Sequence, residues 1–302
     1  MHMPEDIRDK PYLNHRDMVG LNFIRSPGKY HYRRYYRAGL RSHIMEVLQP
    51  GDVKEETDGV TVDGMKCYPR AKPINILRLF RIRLKSLKEA REEVKRVRIV
   101  QAYLGPDHVA FTEEFIVDYK RDEKREILLC GLQEYVEGEV IEPWGHLGED
   151  HLISLLSRMG VKKAGDASES TSQWIASVKR KAGVFVKRIK QMIREAKSIP
   201  DLAGAGNLLL THSGNIKLVD VNNISKVSLD ATIQLDDRGY PVCDKSIQAL
   251  ALLEQKLLGR SPQEGDRLYK AFLDPERMRV VRQREDEFHR SMNTIVSYAG
   301  WR

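Results

Sequence analysis

The chain reads IPDLAGAGNLLLTHSGNIKLVDVN from Ile199 to Asn222, and this stretch decides which fold we expect. Two short apolar runs, residues 207–210 and 216–219, enclose the polar segment THSGN, which is typical of a turn. Short runs on either side of such a turn predict a β-hairpin. An Asp precedes this hairpin, an Asn begins it and a second Asp ends it, so the pattern gathers three oxygen-bearing side chains near one end of the hairpin.

Asn207 and Asp220 are the two side chains that this hairpin would place next to each other. Both offer oxygen atoms, and Mg²⁺ prefers a few hard oxygen ligands completed by phosphates and water. The pair is therefore a candidate magnesium site. Ordinary loop chemistry is the alternative, because Asp and Asn favour turns and Gly204 and Gly206 add flexibility to the preceding loop.

Two other segments have distinctive sequences. Residues 132–138 read LQEYVEG, a strand that runs into a turn. Residues 241–262 read PVCDKSIQALALLEQKLLGRSP, which predicts a helix that begins near Asp244 and ends at Leu-x-Gly-x-x-Pro. Taken alone, the first segment is an ordinary edge strand, and Asp244 is an ordinary helix N-cap.

The three segments together resemble the hinge, the catalytic and metal loops and the central helix of protein-kinase-like enzymes, in the family order. The thirteen positions from Asn207 to Asp220 match the family spacing. The resemblance covers roughly residues 60–262. It implies an α+β, two-lobed protein-kinase-like fold, in which a small antiparallel β lobe with one helix precedes a larger helical lobe.

The resemblance also implies an ATP- and Mg²⁺-dependent phosphotransferase. Asp201 would accept or orient the proton of the attacking hydroxyl, while Asn207 and Asp220 would be the metal ligands. Asp244 would be a buried brace that accepts hydrogen bonds from the backbone of the catalytic loop and so supports Asp201.

The nucleotide-binding residues are further implications of the resemblance. The backbone C=O of Glu134 and N–H of Val136 would pair with adenine. The cation that holds the α- and β-phosphates is ambiguous, because alignment by strand pattern places Arg78 there and Lys72 is a second candidate; Arg is not an equivalent of Lys at such a site. Its acidic partner would come from the helix that follows: Glu93, or alternatively Glu89 or Glu92.

Several departures from the family pattern keep a second interpretation open. The sequence has no clear G-x-G-x-x-G loop, Pro200 stands where regulated protein kinases carry Arg, and the interval from Asp201 to Asn207 is one residue longer than usual. These departures permit a pseudokinase that binds nucleotide without transferring phosphate. The short interval from Asp220 to Asp244 favours a small-molecule or unusual acceptor, as in aminoglycoside-phosphotransferase-like and bacterial sugar or lipid kinases, and the acceptor stays unknown.

Hydrophobic periodicity predicts the secondary structure of the rest of the chain. It predicts strands over Val60–Tyr68, Ile74–Phe80, His108–Tyr119 and Glu126–Tyr135, and helices over Leu84–Leu104, Glu149–Met159, Ser172–Lys197 and from Asp244 onward. We therefore expect a basic, aromatic extension over residues 1–45, a β-rich lobe over residues 46–134 and a helical lobe over residues 135–302.

Composition limits the remaining classes of function. The formal net charge of +8 suits anionic partners, and the cationic run around Tyr32 and the basic residues of the predicted helix 172–197 make a nucleic-acid-binding protein a third, less favoured reading. Cys67, Cys130 and Cys243 form no C-x-x-C pair, as expected for a reduced protein. Because the sequence has neither a signal-peptide core nor an apolar run of membrane-spanning length, we expect a cytoplasmic protein without a membrane span.

Overall fold

A computed structural model describes residues 6–36, 41–121, 123–160, 167–261 and 266–299. It is an α+β structure with antiparallel sheets, as the sequence predicts. The chain divides into two compact units. Unit 1 contains residues 1–96 and 110–135, and unit 2 contains residues 97–109 and 136–302.

Unit 1 is built around one antiparallel sheet. In chain order, its elements are α1 (His15–Val19), β1 (His31–Arg34), β2 (Ser42–Leu48), α2 (Pro50–Asp58), β3 (Val60–Val62), β4 (Met65–Cys67), β5 (Asn75–Phe80), α3 (Leu87–His108, of which residues 97–108 belong to unit 2), β6 (Thr112–Arg121) and β7 (Lys124–Glu134). Five strands form the sheet in the order β1-β2-β5-β7-β6. The two strands predicted over His108–Tyr119 and Glu126–Tyr135 are β6 and β7, which pair as a hairpin, although β6 begins at Thr112 and His108 still belongs to α3.

Residues before position 45 contribute to the core of unit 1. Ile7, Leu13, Met18 and Leu21 are buried in one cluster with residues of β2, β5 and β7. The aromatic and cationic run contains β1, which pairs with β2. The segment predicted as an extension therefore supplies a strand and apolar side chains to this unit.

The segment from Pro50 to Cys67 differs from its prediction. Its first part, Pro50-Gly51-Asp52, has residues typical of a turn and predicts one, but it is the start of helix α2, where Pro50 is tolerated. No residue of α2 is buried. Its sequence therefore has no apolar periodicity from which the helix could be predicted. The single predicted strand is a hairpin, because Asp63 and Gly64 both have positive φ and turn the chain between β3 and β4.

Unit 2 is mainly helical. In chain order after β7, it contains β8 (Glu139–Val140), α4 (Glu149–Arg158), α5 (Ala167–Ala196), β9 (Ser198–Pro200), β10 (Leu208–Leu210), β11 (Ile216–Leu218), β12 (Ile224–Lys226), α6 (Val242–Leu258), α7 (Arg267–Phe272) and α8 (Pro275–Ala299). The predicted hairpin is confirmed as β10 and β11, with β8 on its other edge. Strand β9 pairs with β12.

Helices α5 and α6 contribute more residues to the core of unit 2 than any other element. The apolar positions that predicted α5 are all buried: Ile175, Val178, Ala182, Phe185, Ile189 and Met192. Helix α6 ends at Gly259, which adopts φ 64° and closes the helix in the left-handed conformation. Pro262, the last residue of the predicted helix-ending motif, lies outside the described residues. Within the described ranges, none of the helices combines the length and the apolar character that a membrane span requires.

Candidate active site

Two strand pairs hold the segment from Asp201 to Asp220 in place. The N–H of Asp201 donates to the C=O of Asn223 (2.9 Å), which extends the pairing of β9 with β12. The N–H of Val219 donates to the C=O of Asn207 (2.8 Å), which extends the pairing of β10 with β11. Asn207 and Asp220 therefore flank the open end of the hairpin, in the arrangement that the sequence predicts.

The two carboxylate oxygens of Asp201 have different surroundings. Oδ1 accepts hydrogen bonds from the N–H groups of Ala203 (3.0 Å) and Gly204 (2.9 Å). Among the residues that the structure describes, Oδ2 has only a long contact of 3.4 Å with the amide nitrogen of Asn223. The backbone thus fixes the carboxylate through one oxygen, and the other oxygen is available to accept a proton or a hydroxyl group.

The environment of Asp201 raises its pKa above the ordinary value. Burial is the main cause, and the negative charge of Asp220 adds to the rise. The hydrogen bonds from Gly204, Ala203 and Asn223 oppose it. A desolvated carboxylate is more basic than one in water.

Asn207 is oriented by the loop that precedes it. Its Nδ2 donates to the backbone C=O of Asp201 (2.9 Å), so its Oδ1 is the side-chain atom that remains to act as a ligand. Gly204 makes this approach possible, because a Cβ atom at Gly204 would lie 2.4 Å from Nδ2 of Asn207. The glycine of the loop therefore positions the amide as well as bending the chain.

The oxygen atoms around Asp220 fit a hard cation. Oδ1 of Asp220 accepts from the N–H of Asn222 (3.2 Å). The side-chain oxygen of Asn222 is buried and has no hydrogen-bond partner among the described residues, as expected for an oxygen that meets a cation or an ordered water. Among all the residues that the structure describes, no group of three or more His, Cys, Asp or Glu side chains is placed to hold a metal. A metal at Asn207 and Asp220 would therefore depend on amide oxygens, phosphate and water, which suits Mg²⁺.

The brace for the Asp201 loop comes from a different residue than the one predicted. Ser246 Oγ accepts from the N–H of Leu202 (3.1 Å), while the fully buried Asp244 accepts from Arg277 Nε (2.5 Å). Asp244 is buried as predicted, but the contact that the structure gives its side chain ties α6 to α8. Burial raises the pKa of Asp244 and the Arg277 charge opposes the rise.

Glu142 and Trp144 also hold the loop, and the sequence analysis did not select them. Glu142 Oε1 accepts from the N–H of Gly206 (2.9 Å), and Trp144 Nε1 donates to the C=O of Ala203 (3.4 Å). Both follow β8, whose pairing with β10 brings them to the loop. No local pattern marks them, because the contacts depend on strand pairing between distant segments.

A polar cluster adjoins the loop through Trp144. Lys245 Nζ lies 4.2 Å from the centre of the Trp144 ring and 2.9 Å from Glu285 Oε2. The Tyr240 hydroxyl donates to Glu285 Oε1 (3.1 Å). Burial and the charge of Glu285 raise the pKa of Tyr240, and the charge of Asp201 contributes to the rise. Polar groups that can bind a substrate thus lie close to Asp201.

The predicted nucleotide-contacting residues are divided between the two units. Arg78 is buried in β5, opposite Ile44 and Gly131. Lys72 is exposed. Glu134 belongs to unit 1 and Val136 to unit 2.

The three acidic candidates on α3 differ in their contacts. Glu93 forms an ion pair with Arg96 (3.0 Å) on the same helix. Glu89 Oε2 accepts from the N–H of Lys85 (2.8 Å) near the helix start, and Glu92 is exposed. The roles of all these residues toward a nucleotide stay predictions.

Comparison of the chain with models of known protein families gives no match, and comparison with curated protein sequences gives no significant match. The assignment of a function therefore depends on the residues of the site.

Proposed function

We propose that this protein is an ATP- and Mg²⁺-dependent phosphotransferase of the protein-kinase-like superfamily. The observation that carries the proposal is the arrangement around the β10–β11 hairpin. Asn207 and Asp220 flank its open end, and Asp201 presents one weakly bonded carboxylate oxygen in the same site. These are the metal-binding and hydroxyl-orienting groups among those that phosphoryl transfer to a hydroxyl uses.

Each group has a distinct role in this proposal. Asn207 Oδ1 and the Asp220 carboxylate would hold Mg²⁺, which would neutralise charge that develops on the phosphate during transfer. Asp201 Oδ2 accepts the hydrogen bond of the acceptor hydroxyl and orients it for in-line attack. The bonds from Ala203 and Gly204 to Oδ1 keep that carboxylate from rotating.

The acceptor site adjoins the Asp201 loop. Tyr240, Lys245 and Glu285 offer hydroxyl, ammonium and carboxylate groups beside Trp144, which contacts the loop directly. An aromatic face next to several hydrogen-bonding groups suits a polar small molecule. We therefore favour a small hydroxyl-bearing acceptor over a protein substrate.

Removal of the main metal ligand tests this function. We expect Asp220→Ala to abolish the Mg²⁺-dependent part of ATP binding while the fold survives, because a neutral methyl group replaces the anionic ligand. The measurement is a thermal-shift titration with ATP, in Mg²⁺ and in EDTA, since a ligand stabilises the state that it binds. Asp150→Ala, which removes an exposed acid of unit 2, is the matched control. Unchanged Mg²⁺-dependent ATP affinity in folded Asp220→Ala would contradict the metal assignment.

Turnover separates the enzyme from the pseudokinase. Wild-type protein that binds Mg²⁺ and ATP and also hydrolyses ATP slowly supports phosphotransfer. Mg²⁺-dependent binding without hydrolysis or transfer supports the nucleotide-binding scaffold instead.

A further inference from the structure

Unit 2 contains a cavity of about 740 Å³ that shares no residue with the candidate active site. It is lined by the second half of α5, the end of α6 and the start of α7. A cavity of this volume is large enough for a small organic ligand.

The lining of this cavity is strongly cationic. It has two acids, Glu254 and Asp266, and Lys190 binds both of them, at 2.7 and 3.1 Å. Five further cations line the cavity: Arg180, Lys187, Arg194, Arg260 and Arg267. These five are exposed, and none of them forms an ion pair with a carboxylate among the described residues. Lys190 offsets one of the two negative charges, and the six cations against two acids leave the lining with a net charge of +4.

The cations have a definite spacing. Arg180, Lys187 and Arg194 recur every seven residues of α5, so they lie on one face of the helix about 10 Å apart. Arg260 and Arg267 line the same cavity from the end of α6 and the start of α7. An anion inside the cavity would thus meet cations from more than one direction.

The rest of the lining is apolar. Val184, Ile193, Leu258 and Leu268 contribute to it, and Val184 is 40% exposed. An apolar surface surrounded by arginines suits a ligand with an organic body and anionic groups at its ends. Arginine is the residue that best matches phosphate, because its planar guanidinium can donate two parallel hydrogen bonds.

We propose that this cavity binds a small organic molecule that carries at least two phosphate groups. The site is independent of the phosphotransferase proposal, because it uses no residue of the Asp201 loop or the β10–β11 hairpin.

A nucleic-acid strand is the competing ligand, and the contacts of α5 argue against it. Lys179 pairs with Glu149, Lys181 donates to the C=O of Ser213, and Arg188 donates to the C=O of Leu104. These cations of the helix are engaged by the protein, so the free positive charge is concentrated around the cavity. A concave site of limited volume fits a compact ligand better than a long strand.

Calorimetric titration with fructose 1,6-bisphosphate tests the proposal. The titration is done in EDTA without nucleotide, and also in the Asp220→Ala background, so that the candidate magnesium site cannot account for the binding. We expect the bisphosphate to bind, fructose 6-phosphate to bind at least about tenfold more weakly, and fructose not to bind, because each phosphate adds charge-assisted hydrogen bonds.

Two double variants with the same change in net charge locate the binding. Arg260→Glu with Arg267→Glu should weaken bisphosphate binding by about tenfold or more. Lys270→Glu with Arg282→Glu, at exposed cations outside the lining, should change it by less than about threefold, an effect of net charge only.

Three results would overturn the proposal: no bisphosphate binding by the folded wild-type protein, equal weakening by the two double variants, or binding of a short oligothymidylate in place of the bisphosphate. The last result would favour the nucleic-acid interpretation, which a steep salt dependence would identify.

Discussion

Asp6 in unit 1 and Asp201 in unit 2 are both shielded from water, but their surroundings shift their pKa values in opposite directions. Asp6 accepts hydrogen bonds from Arg8 Nε (3.0 Å) and Nη2 (2.7 Å), and from Arg83 (3.0 Å). Burial alone raises the pKa of Asp6, but the bonds and charges of these arginines outweigh it and lower the pKa to about 2.

Asp201 has no ion pair among the described residues. Its bonds come from neutral backbone and amide groups, and its pKa is raised by burial and by Asp220. A carboxylate held by arginines has no capacity left for a substrate, whereas one held by neutral groups through a single oxygen keeps its basicity. The contrast indicates that Asp6 stabilises the fold and that Asp201 is suited to accept a proton in a reaction.

The largest effect should follow from Asp201→Asn. The amide keeps the size of the side chain and an oxygen for the bonds from Ala203 and Gly204, but it cannot act as a base. We expect phosphate transfer to fall by about 10²–10⁴, the usual contribution of a positioned acid–base group, with ATP affinity unchanged within a few-fold. Transfer or slow ATP hydrolysis, measured beside nucleotide binding, gives both numbers.

Asp6→Asn, assayed where it remains folded, is the control for that measurement. It should leave transfer by the folded protein at the wild-type level. Equal rates for wild-type protein and Asp201→Asn would exclude Asp201 as the base and favour the pseudokinase.

Asp6→Ala should have the largest effect on stability. It leaves the buried Arg8 with Glu126 as its one acidic partner among the described residues. We expect the free energy of unfolding to fall by about 3 kcal/mol, the lower end of the range for broken buried pairs, because Glu126 still holds Arg8.

Asp9→Ala is the matched control for Asp6→Ala. Asp9 pairs with Arg83 at 2.6 Å but is exposed, and such surface pairs contribute below about 1 kcal/mol. Denaturant unfolding of both variants checks the difference, and equal losses would show that the Asp6 cluster has no special role.

Sequence reasoning found the elements whose signals are local. The apolar positions of α5, the β10–β11 hairpin and the positions of Asn207 and Asp220 at its end could all be predicted from periodicity and turn residues. The kinase-like arrangement of the two lobes and the function stay predictions.

The contacts that support the site could not be predicted in the same way. Ser246 reaches Leu202 from forty-four residues away, and Glu142 reaches Gly206 from sixty-four residues away. Neither residue type is distinctive in its segment. The family resemblance pointed to Asp244 for the supporting contact, whereas Arg277 occupies that carboxylate. Tertiary contacts of this kind depend on how helices and strands pack, which a single sequence does not specify.

Asp244→Ala should have an intermediate effect. Its removal leaves the Arg277 guanidinium, which also donates to the C=O of Asp230 (2.7 Å), without its carboxylate partner. We expect a loss of about 1–3 kcal/mol in the free energy of unfolding. Because Ser246 makes the contact with the Asp201 loop, ATP affinity should not change. An unchanged unfolding midpoint would contradict the role of Asp244 in joining α6 to α8.

The smallest effect should be a difference in the pH dependence of stability. The folded pKa of Asp6 lies below the unfolded value of 3.8, so its contribution is present above about pH 4 and is lost as the pH falls toward about 2. The folded pKa of Asp201 lies above 3.8, so the fold loses stability progressively as the pH rises from 3.8 to the folded pKa, and the full loss is present above it. At neutral pH, Asp201→Asn should therefore raise the unfolding midpoint, whereas Asp6→Asn should lower it.

Both differences from wild type should shrink as the pH falls, because each carboxylate then becomes protonated and neutral like the amide that replaces it. For Asp201→Asn the gain should vanish as the pH falls below 3.8, where the folded and unfolded carboxyls both become protonated. Thermal unfolding of the three proteins between about pH 3 and 8 measures the two trends. A midpoint of Asp201→Asn below that of wild type at neutral pH would mean that the Asp201 carboxylate stabilises the loop. In that case the contrast with Asp6 would be one of degree, and the argument for a chemical role of Asp201 would depend on the transfer assay alone.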